Sequence, residues 1–462
     1  MYDIIIIGSG PGGYVAAIRA AQLGLNVAVV EKSEMGGVCL NWGCIPTKAL
    51  LKSAQALHYA QKGAEYGFEI KDEVVPNIKK IVERSRNIAS GMSRGIDYLF
   101  KKNKINLITG FGKVVKEDKV EVTDQDGNKE IYKAKNIIIA TGARANSLPF
   151  APIDGNKIIS YRHALVPETL PKSIAVIGSG AIGSEFAFFY RSMGSKVYLI
   201  EYLPSVVPLE DNDVSAQLSR SFRKMGIKVM VSAQVKQVDI SGENCKIIVE
   251  TKKGEEIIEV EKVLSAVGIV SNIENLGLEE LGVTMERGKI CVDDFYSTNR
   301  AGIYAIGDVI ATPALAHVAS AEAICCVEKI AGLDVEPLDY GNVPACTYTY
   351  PEIASVGSTE RALKERGVEY KVGKFPFTAS GKASSSGERD GFVKLLIDPV
   401  NDKILGAHLI GANVTEMLSG IVVARAKGAT AKDIMYSIHP HPTMSEAIME
   451  AAAAIYDQVI HI

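Results

Sequence analysis

The chain opens with "YDIIIIGSGPGGYVAAIRAAQLGLNVAVVEK", and further on "KSIAVIGSGAIGSEFAFFYRSMGSKVYLIEY" repeats the same order of elements. Each segment reads as an apolar strand, a glycine turn, a helix, a further glycine, a second apolar strand and an acid. At one constant offset, Gly8, Gly10, Gly13, Gly24 and Glu31 fall on Gly178, Gly180, Gly183, Gly194 and Glu201. A lone G-x-G-x-x-G says little, because glycine turns are common. Here each one follows a strand, opens a helix and has an acid at the end of the next strand, which makes the pattern specific.

That context is the dinucleotide-binding βαβ unit. Gly8 or Gly178 permits the tight turn, Gly10 or Gly180 lets backbone approach a pyrophosphate, and Gly13 or Gly183 lets helix pack on strand. The helix N-terminus then offers free N–H groups and a positive dipole end to phosphate charge. Glu31 and Glu201 can each accept a hydrogen bond from a ribose hydroxyl. A carboxylate at Glu201 also repels a 2′-phosphate, and "EYLPSVVPLED" contains no arginine to bind one, so NAD is expected there rather than NADP.

The expected fold class is therefore α/β, with two Rossmann-like domains. Two further strand-to-turn signals follow the same logic: "NIIIATGARAN" ends in Thr141-Gly142 and "AGIYAIGDV" ends in Gly307-Asp308. Taken alone, either also reads as an ordinary tight turn. Residues 52–104 are Lys/Ala-rich with a largely helical pattern, and "INLITGFGKVVKEDKVEVTD" alternates as strands do. From about Tyr340 the composition shifts toward Thr, Tyr and Pro. Strands at "GFVKLLID" and "ILGAHLIG" and helices at "NVTEMLSGIVVARAKG" and "SEAIMEAAAAIYDQVI" predict a further α+β domain.

Composition narrows the partners. The 462 residues carry 51 Lys+Arg against 54 Asp+Glu, a formal charge of -3, which removes any whole-chain electrostatic case for nucleic acid. Seven cysteines are too few and too unevenly spread for a secreted disulfide scaffold. The N-terminal apolar run suits a buried strand and lacks a basic leader, so a cytoplasmic protein with no membrane span is expected.

Against that background "GGVCLNWGCIPTK" stands out, with Cys39 and Cys44 five positions apart. The spacing is wrong for a zinc ribbon and no second pair follows, so no metal site is expected. A redox disulfide is the sharper reading, and two unpaired buried thiols the plainer one.

Taken together, "GGVCLNWGCIPTK", "ATGA", "IGSGAIGSE", "AIGDV", "LAHVASAE", "YTYPEIASVGSTE" and "HPHPTMSE" resemble, in order and over essentially the whole chain, the FAD-dependent pyridine nucleotide–disulfide oxidoreductases. The resemblance implies an FAD-binding domain over 1–145, an NAD-binding domain over 146–270, a central domain over 271–339 completing the FAD site, and a C-terminal dimerisation domain over 340–462. It implies FAD at Gly8, Gly10, Gly13, Glu31, Lys48, Thr141, Gly142, Asp308 and Ala316, and NAD at Gly178, Gly180, Gly183, Glu201 and Gly268. Cys39 and Cys44 would form the redox disulfide, Cys39 the outer sulfur that exchanges with substrate and Cys44 the one nearer the flavin. Lys48 and Glu185 would balance charge near the flavin.

His441, with Glu446 fixing its second ring nitrogen, would be the base that makes a thiolate, aimed by a rigid His-Pro turn for which a cis bond is one solution. His439 has the plainer reading of a structural histidine. The implied activity is oxidation of a protein-bound dihydrolipoamide by NAD+. The implied assembly is a homodimer in which His441 of one subunit serves the cysteines of the other. The implied partner is the lipoyl-bearing subunit of a 2-oxo acid dehydrogenase complex or a glycine cleavage system. A glutathione-type reductase is the nearest rival, and Glu201-Tyr202 argues against its NADP preference.

Overall fold

The computed structural model describes residues 1–462. The chain divides into two compact units, one built from 1–50, 79–146 and 268–338, the other from 51–78, 147–267 and 339–462.

In the first unit the apolar runs become the central parallel strands of a sheet. Tyr2–Ile7 lies between Val27–Glu31 and Lys129–Ile139, with Asn106–Thr109 beyond the former and Ile303–Ala305 beyond the latter. Ile4, Ile5 and Ile6 are wholly buried because helices cover a parallel sheet on its faces. The first half of Lys129–Ile139 instead pairs antiparallel with Lys119–Thr123, which continues to Phe111–Lys116.

The second unit repeats the parallel plan. Its strand order is Lys228–Met230, Lys196–Ile200, Ser173–Ile177, Lys262–Ser265, Ile158–Ile159. A three-stranded antiparallel sheet accompanies it. Residues 339–462 add five antiparallel strands in the order Pro344–Thr347, Glu352–Gly357, Ile404–Gly411, Phe392–Ile397, Lys371–Pro376, with helices Val414–Ala426, Ala431–Tyr436 and Glu446–Ala454. That last helix presses on the sheet so closely that a Cβ on Gly373 would come 2.0 Å from the Ala451 carbonyl oxygen.

Two expectations change in detail. The 52–104 segment is not one helical run, since helix stops at Gln61 and resumes at Ile78. Gly67, at φ +82°, takes the left-handed conformation that ends the short 3-10 turn between them. The final helix ends at Ala454 rather than near the C-terminus, because buried Glu450 turns the tail back by accepting from the Ile460 N–H at 3.1 Å and from His461 Nδ1 at 2.5 Å.

One feature of the antiparallel sheet runs against its apolar pattern. Ser355, His408, Lys394 and Lys374 are successive cross-strand partners, a polar row across four strands. Lys394 is only 2% exposed, and its ammonium meets Asp211 at 2.7 Å, Glu360 at 3.0 Å and Asp213 at 3.2 Å. Removing one member of a buried ion cluster strands the others, so Lys394→Met should cost about 3 kcal/mol or more. Thermal unfolding at neutral pH checks this, and an unchanged melting temperature would refute it.

Beside this row, the Glu210 Oε2 is enclosed without a hydrogen-bond partner, and burial pushes the carboxyl up to about 7, with Asp211 adding to the rise and Ser355 opposing it. The folded chain thus keeps a proton that the unfolded one releases near 4.5. The resulting stabilisation is full below 4.5, declines as pH rises and is gone above about 7. Glu210→Gln should remove that slope from the unfolding free energy measured between those pH values. An equal slope in the variant would assign the effect elsewhere.

Candidate active site

The two glycine turns have nearly the same geometry. Gly10 (φ -65°, ψ -175°) and Gly180 (φ -62°, ψ -174°) are the N-caps of helices Pro11–Gln22 and Ala181–Ser192, with no side chain capping either. The first-turn N–H groups are therefore left to a ligand, as phosphate binding requires. Gly8 and Gly178 have φ of +106° and +96°, and a Cβ on them would come 2.3 Å from the Ala140 and 2.4 Å from the Ala266 carbonyl oxygens. A Cβ on Gly13 or Gly183 would strike the carbonyl of Gly8 or Gly178 at 1.9 or 2.0 Å. Around Gly10 and Gly180 nothing lies within 4 Å of that position, which leaves the space a pyrophosphate needs.

The two acids are also held alike. Glu31 Oε2 accepts from the Ser9 N–H at 2.8 Å and its hydroxyl at 2.6 Å, and Oε1 from the Ser33 N–H. Glu201 Oε2 does the same with Ser179 at 2.8 and 2.7 Å, and Oε1 with the Leu203 N–H. In each carboxylate Oε2 is filled by its two bonds, while Oε1 keeps acceptor capacity for a ribose hydroxyl. Both cradles therefore fit an adenine dinucleotide.

The cysteine loop is packed on the first cradle. Gly36 donates its N–H to the Ser9 hydroxyl at 3.2 Å, and a Cβ on Gly37 would meet the Gly10 Cα at 2.7 Å, which explains the glycines framing the pair. Cys39 lies in the short helix Gly37–Asn41, and Cys44 begins Cys44–Gln61. Both are thiols here, and Cys39 hydrogen-bonds Cys44. That bond, then burial and the charge of Cys44, hold the Cys39 thiol far above its usual range, and Lys48 opposes them. Within the chain Cys44 is exposed while Cys39 packs half-buried against the core.

Several residues that hold this loop carry no sequence signal. Tyr14 stands beside the pair, its phenol pushed up by burial and by the charges of both cysteines. From helix Ile78–Lys102, Ser85 donates to the Pro46 carbonyl at 2.9 Å, Arg84 to Ala49 at 2.9 Å and Arg86 to Asn41, while the Arg86 guanidinium lies 4.2 Å over the Trp42 ring. These partners are 35 to 45 residues away in sequence, so no local spacing reveals them.

The other strand-end signals are turns with the expected backbone. Gly142 has φ +67°, and Thr141 is cross-tied to Asn272, its hydroxyl donating to the Asn272 carbonyl at 2.6 Å and its own carbonyl accepting from the amide at 3.0 Å. Asp308 lies in the turn Gly307–Val309, and burial raises its carboxyl's pKa against the pull of Lys289. Ala316 begins helix Ala316–Ile330, whose N-cap Leu315 supplies no side-chain cap, so a positive dipole end faces outward there. Gly268 also takes a left-handed backbone at φ +99°.

In the second unit, Glu185 is 4% exposed on helix Ala181–Ser192 and accepts from the Tyr348 N–H at 2.9 Å. The His441–Pro442 bond is cis. His441 Nδ1 lies 2.8 Å from Glu446 Oε1, and Oε2 of that carboxylate accepts from the Thr443 N–H at 2.8 Å. Burial raises the Glu446 pKa, but those hydrogen bonds outweigh it and hold the carboxyl below its usual range. A carboxylate can only accept, so Nδ1 carries the proton and Nε2 is the basic nitrogen, on a side chain 77% exposed. His439 turns its Nδ1 to the Ser437 carbonyl at 3.0 Å, a local bond.

Comparison with known proteins shows the family. Residues 2–323 match the family model described as pyridine nucleotide-disulphide oxidoreductase, and 343–452 match that family's dimerisation domain. The dihydrolipoyl dehydrogenase of Rhizobium etli is 48% identical, over 100% of this chain and 99% of that one. That of Zymomonas mobilis is 45% identical over the same shares. Among solved structures, LpdA from Mycobacterium tuberculosis superposes with a TM-score of 0.91 at 27% identity, over 98% of this chain and 99% of that one.

Proposed function

Because the chain belongs to the pyridine nucleotide-disulphide oxidoreductase family, we infer that it oxidises dihydrolipoyl groups and passes the electrons to NAD+ through FAD. The observation that carries this reading is the Cys39–Cys44 pair, hydrogen-bonded and packed against the first dinucleotide turn. Full-length identity to dihydrolipoyl dehydrogenases supports the choice of substrate.

On this reading residues 1–145 and 271–339 hold FAD, 146–270 hold NAD, and 340–462 form the dimer. Gly8, Gly10 and Gly13 take the FAD pyrophosphate, Glu31 its ribose and Asp308 its ribityl chain, with Lys48, Thr141, Gly142 and Ala316 against the rest. Gly178, Gly180, Gly183, Glu201 and Gly268 take NAD. Bound FAD supplies a two-electron acceptor that returns the pair to NAD+ as hydride.

The chain's own groups do the thiol chemistry. His441, with Nδ1–H fixed by Glu446, takes a proton at Nε2 from a substrate thiol and serves the cysteine pair of the partner subunit. The resulting thiolate attacks Cys39 of the oxidised pair, forming a mixed disulfide and releasing Cys44 as thiolate. The second substrate thiol then attacks its own sulfur in the mixed disulfide, closing the lipoyl disulfide and displacing Cys39, and its proton passes to the departing Cys39 sulfur. Lys48 and Glu185 complete the proposed set, as the cation and carboxylate that balance charge as electrons arrive.

The proposed partner is a lipoyl-bearing subunit of a 2-oxo acid dehydrogenase complex or glycine cleavage system. The proposed compartment is the cytoplasm, where a dithiol substrate stays reduced. Steady-state NADH formation from dihydrolipoamide tests the reading, with NAD+ preferred over NADP+ by about 10²-fold or more in kcat/KM, because Glu201 repels a 2′-phosphate. Equal use of NADP+, or NADPH-driven reduction of glutathione disulfide at a comparable rate, would overturn it.

A further inference from the structure

Glu322 is wholly buried on helix Ala316–Ile330, one of the least favourable places for a carboxyl group, and no role assigned above uses it. Its Oε2 accepts from the Gly307 N–H at 2.6 Å, in a site closed to water. Gly307 takes φ +72° and lies against the same helix, where a Cβ would come 3.2 Å from that of Ala319. The residue that follows is Asp308. Its carbonyl oxygen is held from elsewhere, by the Ser271 hydroxyl at 2.7 Å and the Lys289 ammonium at 2.6 Å. The backbone is thus pinned on both sides of the Asp308 Cα, which fixes the direction of its side chain.

We propose that Glu322 is a positioning residue of the FAD site: with Ser271 and Lys289 it locks the Gly307–Asp308 turn so that the Asp308 carboxylate is held in place for the ribityl hydroxyls. This rests on the assignment of Asp308 given above. Ordinary tying of helix to strand would explain the Gly307 bond equally well, but it predicts nothing special about Asp308. Glu322 acting through Asp308 predicts that the effects of the two side chains on FAD affinity do not add.

The test measures the FAD dissociation constant by reconstituting apoprotein and following flavin fluorescence, with circular dichroism to confirm the fold. Glu322→Gln keeps an acceptor oxygen for the Gly307 N–H and should bind FAD within about threefold of the parent. Glu322→Leu loses the acceptor and should weaken FAD about 10- to 100-fold, the cost of leaving one buried N–H unsatisfied. Asp308→Ala should weaken it at least as much, and Glu322→Leu on top of Asp308→Ala should add less than about threefold. Should Glu322→Leu not fold, Ser271→Ala replaces it in the same cycle, with the same non-additivity expected.

Unchanged affinity in Glu322→Leu beside a weakened Asp308→Ala overturns the inference and leaves the Asp308 assignment standing. A full additional loss in the double variant overturns it too, as mere structural tying. Unchanged affinity in Asp308→Ala overturns the Asp308 assignment and the inference with it.

Discussion

Replacing Cys44 with serine abolishes dihydrolipoamide-dependent NADH formation, by on the order of 10³-fold or more, while FAD stays bound. The expectation follows from the chemistry of the pair. Without the second sulfur the disulfide cannot form, and a serine hydroxyl neither accepts the electron pair nor leaves as a stabilised anion. FAD retention follows from the glycine turn and Glu31, whose geometry does not depend on Cys44. Turnover measured beside the flavin spectrum of the purified variant separates the two outcomes. A Cys44→Ser protein retaining a tenth of its activity would remove the disulfide from the mechanism.

His441→Gln lowers dithiol oxidation by about 10²- to 10⁴-fold, the contribution of a positioned general base. Glutamine still donates a hydrogen bond toward Glu446 but has no basic nitrogen to replace Nε2. The variant's rate should recover partly as the pH approaches that of a free dithiol, near 8.5, where substrate supplies its own thiolate. Electron flow from NADH to an artificial acceptor that bypasses the cysteines should stay within a few-fold of the parent. A loss in both assays alike would mark His441 as a folding residue rather than the base.

The parts of the site that a sequence shows best are those whose chemistry is local. The turns at Gly8 and Gly178 need particular residues at fixed short spacings, and the structure gives both nearly the same φ, ψ and carbonyl contacts. The His441–Glu446 bond is similar, since five residues around a cis proline close it. Residues that act across long separations stay hidden: Glu322 answers an N–H 15 positions away, and Arg84 a carbonyl 35 away.

Lys394 misleads for a related reason. In "FVKLLI" a lysine would ordinarily face water, yet every residue of that strand is buried. Three carboxylates from other elements supply what water would have given it.

The relay from dithiol to NAD+ is tested most directly by anaerobic titration of the yellow protein with dihydrolipoamide, followed spectroscopically, and then addition of NAD+. A long-wavelength band from the Cys44 thiolate lying against the flavin is expected, discharged in step with the rise of NADH absorbance. Flavin bleaching with no such band, or a band that NAD+ does not discharge, would contradict it.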